Sequence, residues 1–178
     1  MKEKLLISAC LLGVNCKYSG GNNSHPLAER LKERFELVPI CPEQLGGLPT
    51  PRAPSERMGD RVVTRDGGDV TEQFRLGAAR ALEIARKNGV TRALLKERSP
   101  SCGYGAIYDG TFTSTVVPES GVTAELLEGS GVQIIGESAI ETLLQSACQK
   151  TYPKSWRSGI IKTRGAKRWK RSGMGAGT

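Results

Sequence analysis

Four short runs of branched apolar residues, KLLISAC, FELVPIC, VTRALLK and VQIIGE, recur along the chain with helix-periodic or loop segments between them. Each is too short for a stable helix and too continuously apolar for a strand with one wet face. That is the pattern of strands buried in a parallel sheet. Parallel neighbours need long crossovers, and helices covering the sheet supply them. The intervening segments fit this role. His25–Arg34 has helical spacing through Leu27, Leu31 and Phe35, with Asn23 or Ser24 as N-cap. Thr71–Asn88 carries an apolar face through Phe74, Leu76, Ala78, Ala81, Leu82 and Ala85; Asp69 or Thr71 starts it and Gly89 closes it. VTAELLEGSG and SAIETLLQSAC read as two further helices. CPEQLGGLPTPRAPSERMGD is a loop, RVVTRDGGDVT a short extended stretch turning at Asp66-Gly67-Gly68, and YDGTFTSTVVPESG a loop with some extended structure. The expected fold is an α/β sandwich, a compact parallel sheet with helices on both faces.

The chain has 178 residues, enough for one domain with a substantial core. No run approaches the roughly 18 apolar residues of a membrane span. The start, MKEKLLISAC, is basic, but its apolar run is too short for a signal peptide and no small-residue cleavage site follows. The reducing cytosol is the expected compartment. The net charge of +8 suggests a nucleic-acid partner until it is mapped along the chain. Residues 149–178 carry nine of the 26 Lys and Arg and no acidic residue, leaving 17 basic against 18 acidic residues in 1–148. The expected organisation is an α/β domain over 1–148, with no charge preference for polyanions, and a basic tail over 149–178.

Of the five cysteines, Cys10 closes the first apolar run, Cys41 the second, and Cys102 lies just past the third. Loops at the carboxyl ends of parallel strands line one edge of the sheet, where ligands bind. Three thiols at three strand ends therefore converge, and Cys16 lies in the first of the same loops. Cys148, near the end of the last helix, stands outside this pattern as a packing or surface thiol. Four thiols on one edge, in a reducing compartment, point to metal or catalysis ahead of disulfides. Structural zinc commonly uses close pairs such as C-x2-C, which this chain lacks. Its one histidine, His25, precedes a proline at a helix start and reads as a surface or capping residue. Soft thiolates without histidine favour an iron–sulfur cluster. Zinc stays the alternative, because the spacing is not that of a ferredoxin.

Residues beside the thiols add chemistry. Glu43 follows Cys41 by two positions, Ser101 precedes Cys102, and Lys96 leads out of the third strand. A carboxylate, a hydroxyl and an ammonium near thiolates supply proton transfer and substrate hydrogen bonds. PTPRAPSER places Arg52 and Arg57 in a proline-stiffened loop suited to one wall of a pocket. Gly46-Gly47 and Gly103-Tyr104-Gly105 permit close backbone approach.

Taken together and in order, SACLLGVNCKYSG, VPICPEQLGGLPTPRAPSE, GDVTEQFRLGA and LLKERSPSCGYGAIYDGTF resemble a small bacterial family whose characterised members are thiouracil desulfidases that use a [4Fe-4S] cluster. The resemblance covers roughly residues 3–145; Ser19 stands where the family's YDG-like segment has Asp. It implies a cluster held by three protein thiolates with one iron open. That iron would take the thiocarbonyl sulfur of a thiolated pyrimidine as a Lewis acid. Water deprotonated by Glu43 would then attack the ring carbon, and hydrosulfide would leave in a non-redox hydrolysis that yields uracil. Strand-end placement picks Cys10, Cys41 and Cys102 as ligands, with Cys16 as alternate ligand, sulfur acceptor or shield. Lys96 and Arg52 would bind substrate, and Ser101 would share the catalytic work with Glu43. Cluster-assembly machinery follows as a partner. Whether the substrate is a base, a nucleoside or a tRNA position stays open.

Two other classes compete. YSGGNNS is similar to the SGG-x-D-S loop of ATP pyrophosphatases that activate RNA bases for thiolation, although CLLGVNCKY separates it from the strand and Asn23 replaces the Asp. The other is a non-catalytic iron–sulfur or zinc protein that binds RNA through the tail. There, basic residues interleave with Trp156 and Trp169, a mix that could grip RNA by charge and stacking; the reading preferred for 149–178 is a disordered extension.

Overall fold

The computed structural model describes residues 2–146. Cys148 and the basic segment with Trp156 and Trp169 lie outside them. In chain order the elements are β1 (Glu3–Ser8), β2 (Phe35–Ile40), α1 (Pro42–Leu45), β3 (Ser55–Met58), β4 (Arg61–Thr64), α2 (Thr71–Lys87), β5 (Arg92–Leu95), β6 (Ile107–Tyr108), β7 (Val116–Val117), α3 (Val122–Gly129), β8 (Gln133–Gly136) and α4 (Ile140–Ser146). Short 3-10 segments at Ala9–Leu12, Glu29–Glu33 and Glu137–Ala139 join them.

The four apolar runs form one sheet in the order β2-β1-β5-β8, and every pairing is parallel. The register aligns Ser8 with Ile40, Ile7 with Leu94, and Leu95 with Gly136. All four strands therefore finish at the same edge, and the loops that leave them share it. Alternation sends Leu6, Ala93, Leu95 and Ile134 to one face, against Ala81, Leu82 and Ala85 of α2 and Ala124 and Leu127 of α3. Leu5, Ile7 and Leu94 go to the other, against Ala28, Leu31, Ile140 and Leu143. The sheet is covered on both faces, as its uninterrupted apolar strands require.

Three local expectations change. The helix expected over His25–Arg34 is a turn followed by the 3-10 segment Glu29–Glu33. Its buried residues Ala28 and Leu31 are three apart, a spacing that three residues per turn keep on one face. His25 acts as a local cap, its Nδ1 accepting the Leu27 N–H at 3.2 Å. The Pro/Gly-rich loop holds two elements. Pro42–Leu45 makes one helical turn with Pro at its start, and Ser55–Met58 pairs antiparallel with β4. On α2, Leu76 falls off the apolar stripe and is 44 % exposed, because two helical steps carry it about 200° from Phe74.

The N-terminus of α2 is tied to this hairpin. Asp69 Oδ1 accepts the Thr71 N–H at 2.9 Å and its hydroxyl at 2.6 Å, while the Thr71 oxygen accepts the Val62 N–H at 3.0 Å. The turn α1 crosses α2 at two glycines. A Cβ on Gly46 would lie 1.9 Å from the Gln73 carbonyl oxygen, and one on Gly77 would lie 2.0 Å from that of Pro42. This close approach sets where the residues at the start of α1 sit.

Candidate active site

At the carboxyl edge of the sheet a cavity of about 530 Å³ is lined by Cys10, Cys16, Cys41 and Cys102 together. Cys10 lies in the 3-10 turn after β1, which ends at Gly13 in a left-handed conformation (φ 84°). This turn folds the following loop back so that Cys16 is buried beside it. Cys41 ends β2 and caps α1. Cys102 is buried in the loop after β5.

The thiols differ in character. Cys10, Cys16 and Cys41 interact as a set: sharing hydrogen bonds with the other two pushes the Cys16 thiol up, and Cys41 Sγ also lies 3.9 Å from the Cys16 carbonyl oxygen. The Cys10 thiol is lowered chiefly by its hydrogen bond with Cys16, with a further one from the Asn23 side chain. Cys41 is lowered to about 7, first by Cys16 and then by the Gln44 N–H of the α1 turn, against the cost of burial. Burial raises Cys102, partly offset by a hydrogen bond from Ser8. Two thiols biased toward the thiolate are nucleophiles or metal ligands in waiting.

Glu43 borders the same cavity from the first turn of α1. The almost fully buried Arg52 grips its Oε2 through Nε at 2.8 Å and Nη2 at 2.6 Å. Nη2 also donates to the Cys16 carbonyl at 3.0 Å, and Nη1 to Pro49 O at 3.0 Å. One guanidinium thus joins the thiol loop, the Pro-rich loop and the carboxylate. Arg52 lines the cavity, but its donors are already engaged with Glu43, Cys16 O, Pro49 O and Thr50 Oγ1. Among the described residues, Glu43 Oε1 accepts no hydrogen bond.

Lys96 lines the cavity as well, its Nζ paired with Glu137 and bonded to Glu97 O at 3.2 Å. Ser101 does not line it. That residue is fully buried, its hydroxyl 2.8 Å from Thr123 Oγ1, and its carbonyl accepts the Thr123 and Ala124 N–H groups at the start of α3. Ser99 borders the cavity instead, its Oγ accepting the N–H groups of Ser101 and Cys102 at 3.1 Å. Ser8, Asn23 and Ser99 are site residues that sequence reasoning missed. Nearness to a cysteine marks Ser8 in SAC and Ser99 in SPSC, whereas Asn23 in GGNNS has no cysteine beside it in the sequence.

The wall opposite the sheet comes from the β3–β4 hairpin and the 107–117 segment. Glu56 Oε2 accepts the N–H groups of Gly110 at 3.1 Å and Phe112 at 2.9 Å, and the Arg65 guanidinium carbon lies 5.5 Å from the Phe112 ring centre. Among the described residues, three non-glycine residues have left-handed backbone: Arg98 (φ 56°), Phe112 (φ 57°) and Ser114 (φ 65°). All three border this cavity. Strained backbone gathers where function holds it in place. Arg57 serves the structure nearby, donating to Ser120 O and to Glu125 Oε2, each at 2.5 Å. The SGGNNS segment leads into turns and then the Glu29–Glu33 3-10 segment, so the α-helix N-terminus that a phosphate loop needs does not follow it.

Residues 5–139 match the family described as 2-thiouracil desulfurase. The chain belongs to that family. It is 39 % identical over 150 residues to the uncharacterized protein YbbK of Bacillus subtilis (strain 168), covering 79 % of this chain and 99 % of that protein. It is also similar to a solved structure, the [4Fe-4S]-dependent thiouracil desulfidase TudS. The identity is 42 % and the TM-score 0.77, over 83 % of this chain and 99 % of that one. The parallel α/β fold is thus shared with a 2-thiouracil desulfurase relative. The donor set lining this chain's cavity, four sulfurs with no histidine, has the softness an iron–sulfur cluster requires.

Proposed function

We propose that this family member is a [4Fe-4S]-dependent desulfidase that converts thiouracil, or a derivative of it, to the oxo pyrimidine and hydrosulfide. Cys10, Cys41 and Cys102 would hold the cluster, with Cys16 as the alternate ligand. When bound with one iron open, such a cluster supplies a Lewis acid for the thiocarbonyl sulfur. The protein's own residues do the rest. Arg52 fixes Glu43, a residue of the cavity lining, through one oxygen and leaves the other without a hydrogen bond among the described residues; that oxygen would take a proton from the attacking water. The water oxygen bonds the ring carbon, the carbon–sulfur bond breaks, and hydrosulfide leaves with no net electron transfer. Ser101, through Thr123 and the start of α3, holds the loop that carries Ser99 and Cys102.

One observation carries this reading: four thiols and an arginine-clamped carboxylate border a single cavity. Anaerobic reconstitution is expected to load about four irons and four sulfides per chain. The loaded protein is expected to turn 2-thiouracil into uracil without reductant or ATP, with oxygen from labelled water in the product. Stoichiometric zinc without iron uptake, or an absolute ATP requirement, would overturn the proposal.

A further inference from the structure

Phe112 carries a bulky side chain on left-handed backbone (φ 57°), a conformation that L-residues with large side chains rarely adopt. Two features hold it there. The Glu56 carboxylate, buried in β3, accepts the N–H groups of Phe112 and Gly110, and the Arg65 guanidinium lies over the ring. Gly110 lets the segment pass close to the hairpin, since a Cβ there would lie 2.7 Å from that of Met58. The result is an aromatic ring on the wall of the same cavity that the four thiols line. Tyr18 and Tyr108 also border the cavity, but neither has a strained backbone.

We propose that Phe112, through the ring face that Arg65 does not cover, is the specificity-determining wall of this cavity, a stacking surface for a flat thiolated pyrimidine ring, and that Glu56 is the residue that positions it. The identity of the ring rests on the desulfidase reading above. Stacking on a fixed aromatic favours a planar heterocycle over a small thiocarbonyl compound that has no aromatic ring, such as thioacetamide.

The test measures 2-thiouracil binding to the full-length holoprotein by anaerobic calorimetry, together with Tm and amide exchange. Phe112→Leu and Phe112→Gly are expected to raise the Kd about tenfold, the size of one lost base–aromatic stack, while Phe112→Tyr retains affinity. Phe112→Gly is also expected to hold or raise Tm, because glycine accepts the positive φ without strain. Glu56→Ala is expected to weaken binding as Phe112→Leu does and to speed exchange at residues 110–112. Glu56→Gln, which keeps one acceptor oxygen, is expected to reverse both. An unchanged Kd in Phe112→Leu, or a Phe112→Gly variant that loses stability in step with affinity, would overturn the proposal. If Glu56→Ala does not fold, the Phe112 variants decide alone. Binding without turnover would sink the desulfidase reading and keep the wall; absence of wild-type binding would sink both.

Discussion

At the residue scale, the unusual object is Arg52. Its guanidinium touches a carboxylate, the carbonyl of a thiol-bearing residue and a proline carbonyl at once, which a compact ammonium cannot do. Arg52→Lys is therefore expected to slow turnover while the chain stays folded, because Glu43 loses its aim. Glu43→Gln is expected to cost more, on the order of 10²–10⁴ in rate, because shape is kept and the proton acceptor is lost. Both variants should retain the full iron content of the wild type; steady-state kinetics alongside iron analysis checks this, and unchanged turnover in Glu43→Gln would require a different base. The cysteines and Glu43 were legible in the sequence because strand ends and immediate neighbours are local features. Glu56 and Phe112 were not, since the carboxylate and the amide it accepts are 56 residues apart. Arg52 was legible as a pocket residue, but its engagement with Glu43 was not. Ser101 sat next to a cysteine in sequence yet turns its hydroxyl to Thr123.

At the scale of elements, branched apolar runs marked all four strands of the sheet, most directly the central β1 and β5, where burial falls on consecutive residues, while the edge strands β2 and β8 are only partly buried. The β3–β4 hairpin left little trace. It buries only Val62 and Glu56, and backbone pairing, which any residue supplies, holds the rest. The α1 turn was hidden for a related reason, being placed by the absence of side chains at Gly46 and Gly77. Gly77→Ala is expected to push α1 off α2 at a cost of about 1–3 kcal/mol, or roughly 3–10 °C in Tm for a chain of this size. Activity should fall further than stability, since α1 begins at Cys41 and carries Glu43. Leu76→Ala, one position away but 44 % exposed, should change Tm by less than a quarter of that. Thermal melts of the pair settle it: equal losses would mean that the crossing has slack to absorb a methyl group.

At the scale of the whole molecule, charge is unevenly spread along the chain: nine basic residues and no acidic one fall in 149–178, against 17 basic and 18 acidic residues in 1–148. Truncation after residue 148 is expected to leave the melting transition and thiouracil turnover intact and to abolish any salt-sensitive retention of RNA, measured by gel shift against the full chain. Loss of turnover on truncation would make the tail part of the enzyme. The order β2-β1-β5-β8 has a consequence in time as well as in space. The first two thiol-bearing edges can meet once about 40 residues exist, but the third must wait for β5 to find β1 across nearly 90 residues of intervening chain. Such distant pairing is slow to close. Three of the four thiols, Cys10, Cys16 and Cys41, thus belong to the first 41 residues, and only the long-range β1–β5 pairing brings Cys102 to them.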